Sequence, residues 1–252
     1  MSAATQTASR PQSDARPRQE RARGPVGTLF GFALGLVLTL LGSWLMATVI
    51  EIVGMYTLWP EQRAGHARAA LVEDYGYVRS FPRSLIVDDT EAFARQLAGW
   101  AAWPYERLDT GRQIARLRSL GAAAPLAGPP PLRARLMSDA ADWLEASYYC
   151  AQDTAVRLAI AIFGLPAFAM AIALGLVDGL VRRDLRKWSG GRESSFLYHH
   201  AKRFTGWFLG VGFAAYLIWP FGGLNPATLV LAFAAAVALS LSTTVSSFKK
   251  YL

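Results

Sequence analysis

The chain has 252 residues, of which 53% are hydrophobic, and it carries a formal net charge of +8 at pH 7. This apolar fraction is high for a soluble domain but ordinary for a small polytopic membrane protein, which argues against a soluble class. The positive charge is concentrated beside apolar stretches, so orientation in a bilayer accounts for it, and we expect no direct nucleic acid binding.

Residues 1–25 are predicted to form a disordered basic cytoplasmic tail. They carry five arginines against two acids and almost no large apolar residue, so they cannot bury a core. The next 25 residues, 26–50, contain no charge. Roughly 20 apolar residues in a helix cross a bilayer core, so we predict an uncleaved transmembrane helix over 26–58.

Three glycines of this first helix recur every four residues and therefore share one face: Gly27, Gly31 and Gly35. Small residues in this pattern let a second backbone approach closely, so we predict helix packing here, within the chain or with a partner. Ordinary glycine enrichment of membrane helices is the competing explanation. Glu51, the one carboxylate embedded in the helix, is expected to reach water and to lack a counter-charge.

Residues 60–154 are predicted to form a helical extracytoplasmic region, which contains eleven arginines and twelve acidic residues. The acidic segment 88–91 is a good helix start, because Asp or Thr can cap free N–H groups. In the run that follows, Phe93, Leu97 and Trp100 recur at three- and four-residue spacing, which predicts one apolar stripe.

A Gly- and Pro-rich stretch, 121–132, interrupts the helical pattern. We expect the next helix to start at Ser138 or Asp139 and to continue into the second span. This helix contains the single cysteine, Cys150, so no intrachain disulfide can form. A free thiol near a helix end and a disulfide to a second chain are both open for it.

Three further transmembrane helices are predicted from the remaining apolar stretches, at 157–180, 204–220 and 226–247. Pro166 lies inside the first of them and predicts a kink. The short turn before the last one requires an antiparallel hairpin. The predicted fold class is therefore an all-α membrane protein, with about four transmembrane helices and a helical extracytoplasmic region between the first and second.

The basic segments predict the orientation of these spans. Short segments rich in Lys and Arg stay in the cytoplasm. The loop 181–203 carries seven Lys or Arg against two acids, and the tail 248–252 adds two lysines. Together with the N-terminal tail, these cytoplasmic segments alternate correctly with four spans, so we predict that both termini are cytoplasmic.

The sequence contains no catalytic motif of the zinc-protease, phosphate-loop or serine-nucleophile type. His66 is isolated, and the adjacent His199 and His200 do not share a helix face. We therefore expect no enzyme, no cofactor and no metal site. The lipid bilayer and other proteins are the expected partners.

The basic loop is the most specific-looking part of the chain. Arg182 and Arg183 directly follow a span, which suits anionic lipid headgroups, and Asp178 is spaced to pair with Arg182. We predict a docking surface here, and a loop that only sets topology is the competing explanation. The predicted interaction residues are Asp178, Arg182, Arg183, Asp184, Arg192, Glu193, Tyr198, His199, Lys202 and Arg203.

Three stretches carry a resemblance to a known family: EIVGMYTLWPEQ (51–62), VDGLVRRDLRKWSGGRESSFLYHHAKR (177–203) and SSFKKYL (246–252). They resemble the membrane proteins encoded on integrating conjugative elements of Gram-negative bacteria. The resemblance implies a bacterial inner (cytoplasmic) membrane protein that belongs to the gene set for conjugative DNA transfer by a type IV secretion apparatus. It implies no catalytic residues.

The expected function follows from that resemblance. The chain would be an inner-membrane structural or accessory component of the transfer apparatus, and other conjugation-apparatus membrane proteins would be its partners. A small membrane transporter or channel subunit acting as an oligomer is the alternative. A homo-oligomer is compatible with both.

Overall fold

The computed structural model describes residues 24–122, 131–189, 195–223 and 225–247, without the side chains of 195–202, 205–206 and 208–209. All regular structure in these ranges is helical, so the predicted all-α class is confirmed. The helices are α1 (Pro25–Thr57), α2 (Gly65–Ser80), α3 (Thr90–Arg107), α4 (Thr110–Ala122), α5 (Leu132–Phe163), α6 (Leu165–Trp188), α7 (Ser195–Ile218) and α8 (Pro226–Ser246).

Three of these helices are long and apolar enough to cross a membrane, namely α1, α6 and α8. The chain is therefore a membrane protein by the length and composition of its helices. The fourth predicted span coincides with part of α7, which is not among the three, and it stays a prediction. The predicted disorder of the N-terminal tail falls almost wholly outside the described residues.

The chain divides into two compact units, Met1–Val37 and Leu38–Leu252. In the first unit the described residues are the start of α1, where the large side chains of Val26, Phe30 and Phe32 are exposed. An apolar helix with exposed side chains is what a lipid-facing span requires. The second unit contains the rest of α1 and all the other helices, and it holds the features described below.

Helices α6 and α8 lie side by side and run parallel. Gly164 packs against Val230, Gly175 against Ala238 and Gly179 against Ser242, so contacts advance in the same direction along both helices. A Cβ atom at Gly175 would lie 2.6 Å from the carbonyl oxygen of Ala238. The two backbones approach this closely only because small residues line the contact.

The connection from α5 to α6 differs from the expected single span over 157–180. Helix α5 ends at Phe163, and α6 begins at Leu165 with Pro166 in its first turn. Proline is well placed there, because a first-turn N–H has no intrahelical acceptor. The break in the helix therefore comes at Gly164, before the proline.

Helix α5 begins at Leu132, so the expected start at Ser138 or Asp139 is wrong. The residue before it, Pro131, has an extended backbone with φ −60° and ψ 150°, which suits the position preceding a helix. The segment LRARLM at 132–137 consists of good helix formers, so the helix starts as soon as the prolines end.

Helices α2, α3 and α4 pack against α5. The core of this region includes Leu71, Val156 and Ile160. Helix α3 buries Ala94, Ala98 and Ala102 in place of the predicted stripe. Phe93 and Leu97 are partly buried beside these alanines, but Trp100 is 65% exposed, so the stripe prediction is wrong for Trp100. Alanine has the smallest side chain that still favours a helix, and it lets α3 lie close to α5.

Candidate functional site

A buried cluster of charged side chains lies where the polar helical region meets the ends of the membrane helices. Its centre is Arg157 on α5, which is only 5% exposed. Around it lie Asp74 of α2 and Asp153 of α5, and Glu51 of α1 lines the same small cavity. Charged groups are almost never fully buried unless they are paired, so this cluster has a structural or functional reason.

The Arg157 guanidinium connects three helices. Its Nε donates to Asp74 Oδ2 at 2.7 Å, and its Nη2 lies 3.0 Å from Asp153 Oδ2. Its Nη1 donates to the backbone carbonyl oxygens of Tyr216 and Trp219, at the C-terminal end of α7. A cation at a helix C-terminus satisfies carbonyl groups that have no intrahelical donor. Arg157 therefore holds α2, α5 and α7 together.

Glu51 has a partner that the sequence did not indicate. Its Oε1 lies 2.9 Å from Nδ1 of His66, and the His66 ring stacks on Trp59 at 3.8 Å. Glu51 is 3% exposed, so the expectation that it reaches water is wrong, and His66 is its hydrogen-bond partner. The turn after α1 returns the chain and brings the histidine back over the glutamate, across 15 residues of sequence.

A small cavity of about 10 Å³ lies between Glu51, Cys150, Asp153 and Arg157. This volume is at the lower limit for one water molecule. Asp153 Oδ1 is buried with no hydrogen-bond partner within the described residues. A buried oxygen without a donor is costly, and one water in the cavity or a proton on the carboxyl group would satisfy it.

Burial raises the pKa of Asp153 well above its usual range, although the neighbouring Arg157 charge acts in the opposite direction. Asp74 shares the same guanidinium, so two carboxylates compete for one cation. Burial also raises the pKa of the Cys150 thiol. Cys150 lies well inside α5 and is 5% exposed, so the expected position near a helix end is wrong, and a disulfide to a second chain would require α5 to be uncovered.

This arrangement braces helices and offers no room for a substrate. Within the described residues, no group of three or more His, Cys, Asp or Glu side chains is placed to hold a metal ion. A hydrogen bond to a carboxylate supports the same junction: the N–H of Gly223 donates to Glu73 Oε1 at 2.8 Å. Glu73 thereby fixes the turn before α8 to α2.

The C-terminal end of α6 carries Arg182, Arg183, Arg186 and Lys187, and we call it the basic helix end. It lies at the opposite end of α6 from the charge cluster. Because α6 and α8 are parallel, their C-terminal ends lie at the same end of the pair. Asp178 Oδ2 lies 2.9 Å from Nε of Arg182 and accepts a hydrogen bond from Ser242 on α8 at 2.5 Å. Asp178 therefore joins the two helices, and Arg182 lies at the surface beside this contact.

The other predicted interaction residues lie on α6, on α7 or outside the described part of the chain. Arg183 is partly buried and Asp184 is exposed, and both lie on the last turns of α6. Arg203 on α7 lies over the ring of Trp207, at 5.8 Å. The structure does not describe Arg192 and Glu193, nor the side chains of Tyr198, His199 and Lys202. The docking role of this set stays a prediction.

The glycine face predicted on α1 is more exposed than Gly175 and Gly179 of α6. Gly27 and Gly35 are exposed, Gly31 is partly buried, and a Cβ atom at Gly35 would meet nothing within 4 Å. The space that a Cβ atom at Gly35 would enter is therefore open. A partner from another molecule stays a prediction.

An exposed aromatic surface lies on the side of α3 that faces away from α5. Trp100 is 65% and Trp103 is 56% exposed, and Leu108 just after the helix is exposed as well. The Arg107 guanidinium lies 5.3 Å from the Trp103 ring centre. Trp and Arg are the residues most enriched at energetically important positions of protein interfaces. We call these four residues the α3 surface.

Sequence reasoning missed the centre of the site. Arg157 was placed at the edge of a predicted span, and Asp74 lies 83 residues away in sequence. One available signal was the pair Asp153 and Arg157 at a spacing of four beside an apolar run, because such charges must find partners before the chain enters lipid. Gly175 and Gly179 were also missed, although they form the GxxxG pattern.

Comparison with known proteins gives one match. A family model described as IncC plasmid conjugative DNA transfer protein DtrJ-like matches residues 58–249. The expected association with conjugation is thereby confirmed, but the match is to a plasmid family and does not support an integrating element specifically. No curated protein and no solved structure matches this chain.

Proposed function

The chain belongs to the DtrJ-like family of IncC plasmid conjugative DNA transfer proteins, and from that premise we propose that it is an inner-membrane structural or accessory component of the transfer apparatus. Its association with conjugative DNA transfer follows from the family. The inner membrane, the contact with a type IV secretion apparatus and the carriage on an integrating element are parts of the proposal.

The proposed topology places the basic helix end in the cytoplasm and the polar helical region outside. The parallel packing of α6 and α8 supports it, because both C-terminal ends lie on one side and each leads into a basic segment. Helices α2–α5 lie at the other end of this pair. There, Arg157 contacts Trp219 and Glu73 contacts Gly223, both in the turn before α8. Segments rich in Lys and Arg stay in the cytoplasm.

The proposed interaction role rests on the α3 surface. Helix α3 runs antiparallel to α5, with Phe93 beside Phe163 and Tyr105 beside Ser147. The 16 residues of α5 between these contacts correspond to about 24 Å of helix. The exposed Trp103 and Arg107 thus lie near the end of α3 that is distant from the start of the α6 span. We assign this surface to a protein partner outside the membrane.

The test combines a mating assay with crosslinking in cells. A photoreactive amino acid at Trp103 should capture an envelope protein of the transfer apparatus during mating. The double change Trp100→Ala/Trp103→Ala should lower DNA transfer by about thirty-fold or more, which corresponds to the loss of one interface hot spot. The control is Arg112→Ala, an exposed arginine of α4 outside this surface.

Two results would contradict the proposal. Deletion of the gene could leave DNA transfer unchanged, which would separate the chain from conjugation altogether. Alternatively, Trp103 crosslinks could contain only lipid, which would remove the partner while leaving a role in transfer intact. The same assay applied to Arg182→Ala/Arg183→Ala tests the cytoplasmic docking surface.

The buried cluster is the one observation that favours the alternative, a small transporter or channel subunit. Embedded ionisable groups often mark transport paths. However, the cavity beside Glu51 is only about 10 Å³, and Arg157 is fully engaged by helices of the same chain. A transport role predicts that Glu51→Gln abolishes function while crosslinked complexes persist. A bracing role predicts that complexes and stability decline together.

A further inference from the structure

A second cavity, far larger than the one beside Arg157, opens near the start of the membrane helices. Its volume is about 550 Å³, within the usual range of small-molecule sites, about 300–1,000 Å³. The end of α2 and the segment 81–85 form one wall, and the α5–α6 junction and the first turns of α8 form the other. Its apolar lining includes Val78, Phe81, Ile160, Phe163, Pro166 and Val230.

The position of this groove relates it to the bilayer surface. Two candidate spans, α6 and α8, begin at Leu165 and Pro226 and run parallel from there. The groove is lined by residues of both first turns. A cavity beside the starting residues of two parallel spans lies where the hydrocarbon core gives way to the headgroups.

The rim of the groove has the chemistry of a headgroup site. Arg83 lines it and forms no ion pair with the part of the chain that the structure describes. The nearby carboxylate of Asp89 is engaged in capping α3, where it accepts from the N–H of Ala92 at 2.9 Å. Ser84 lines the same groove, but its hydroxyl donates to the carbonyl of Val87 and accepts from the N–H of Val87, so Arg83 is the group that the rim offers to a headgroup. An unpaired guanidinium is a good partner for a phosphate group.

The segment that carries Arg83 also has the character of a membrane-contacting loop. Leu85 is 91% exposed and Ile86 is 52% exposed, so two adjacent aliphatic side chains project from it. Phe81 is exposed on the same segment. Exposed aliphatic side chains beside a cation are typical of segments that enter the boundary between headgroups and acyl chains.

We propose that this groove binds one anionic phospholipid, with an acyl chain between Ile160, Phe163 and Val230 and its phosphate at Arg83. In the proposed topology the lipid belongs to the outer leaflet, so this site is distinct from the basic helix end. An acyl chain matches the apolar walls. The unpaired cation at the rim selects an anionic headgroup over a zwitterionic one.

The test uses the full chain in nanodiscs that contain phosphatidylcholine with a small share of a photoactivatable phospholipid. The probe has a diazirine on its acyl chain and either a phosphatidylglycerol or a phosphatidylcholine headgroup. Mass spectrometry maps the labelled peptides. We expect the anionic probe to label peptides that contain Phe163 and Val230, and the zwitterionic probe to label them less.

Two variants distinguish binding of the lipid headgroup from binding of its acyl chain. Arg83→Gln should reduce labelling by the anionic probe about five-fold, the effect expected for one charge at the surface, and leave the zwitterionic probe unchanged. Ala167→Trp should fill the groove and reduce labelling by both probes. Arg112→Gln on α4 is the control, because it removes an exposed arginine outside the groove.

The proposal fails if both probes label the groove equally and Arg83→Gln has no effect, because the groove would then contact bulk lipid without selecting it. It also fails if the groove is unlabelled and a photoreactive residue at Leu85 captures a protein, because a partner would then be its occupant. Arg83 is a surface residue, so Arg83→Gln should fold even if Ala167→Trp does not.

Discussion

Arg157 and Asp74 form a buried ion pair across 83 residues of sequence, with 2.7 Å between Nε and Oδ2. The pair joins α5, which leads into a membrane span, to α2 of the polar region. The same guanidinium caps the end of α7 through the carbonyl oxygens of Tyr216 and Trp219. One side chain thereby sets the position of the polar helices relative to the turn before α8.

Removing the arginine of this pair should be strongly destabilising. Arg157→Met leaves the buried carboxylate of Asp74 without its cation, which costs about 3–5 kcal/mol, whereas Asp74→Asn should cost less because Asp153 still contacts the guanidinium. Thermal unfolding of the detergent-solubilised protein, followed by circular dichroism, measures the effect. Arg112→Met, which removes an exposed arginine paired with Asp109, should change stability by less than about 0.5 kcal/mol. If Arg157→Met unfolds like the wild type, the pair contributes nothing to stability.

Asp153 should make stability depend on pH. Its pKa is raised in the folded state because the carboxyl is buried, so folding favours the protonated form. This contribution is fully present below the ordinary value of 3.8 and is lost as pH rises through the folded value. Asp153→Asn removes the titration, so the stability of the wild type relative to this variant should fall as pH rises from 3.8 through the folded-state value.

The control for this titration is Asp109→Asn. Asp109 is an exposed acid with φ +52°, a backbone conformation that asparagine also tolerates. Its profile should run parallel to that of the wild type. The charged neighbours of Asp153, namely Asp74, Glu51 and Arg157, are retained in both variants, as are Cys150, Tyr75 and Tyr216. Equal pH profiles for the wild type and Asp153→Asn would show that folding does not change the pKa of Asp153.

Local patterns in the sequence predicted much of the fold. Uncharged stretches predicted the apolar helices, and the acidic segment before α3 predicted its start, where Asp89 accepts from the N–H of Ala92. These signals are short-range, since hydropathy and capping depend on neighbouring residues. The start of α5 was missed because the prolines before it were taken to delay the helix, whereas Pro131 is compatible with the position before its first turn.

The charge cluster was beyond such patterns. Glu51 was taken to be unpaired because nothing near it in sequence carries a positive charge, and only the turn after α1 brings His66 to it. Trp100 was assigned to the core because its spacing fits, yet the alanines of α3 pack against α5 instead. Pairing at long range and the choice between two faces of one helix depend on tertiary contacts, which spacing does not encode.

The contact between α6 and α8 should be sensitive to a single methyl group. At Gly175 a Cβ atom would lie 2.6 Å from a backbone oxygen of Ala238, and backbone cannot rotate away. Gly175→Ala should therefore cost about 1–3 kcal/mol, the usual cost of overpacking. Thermal unfolding in detergent measures it, with Gly42→Ala as the control, because a Cβ atom there meets nothing within 4 Å. Equal stability of the two variants would mean that the helices do not approach this closely.

The glycine face of α1 should behave in the opposite way, affecting partners but not the fold. A Cβ atom at Gly35 would meet nothing within 4 Å and the position is exposed, so we expect Gly35→Leu to leave unfolding of the isolated protein unchanged. If this face packs against another membrane helix, the same change blocks close approach and should reduce crosslinked complexes in cells. Ala33→Leu adds similar bulk on the other side of α1 and should leave them intact. If both variants retain every complex, these glycines reflect only the ordinary composition of a lipid-facing helix.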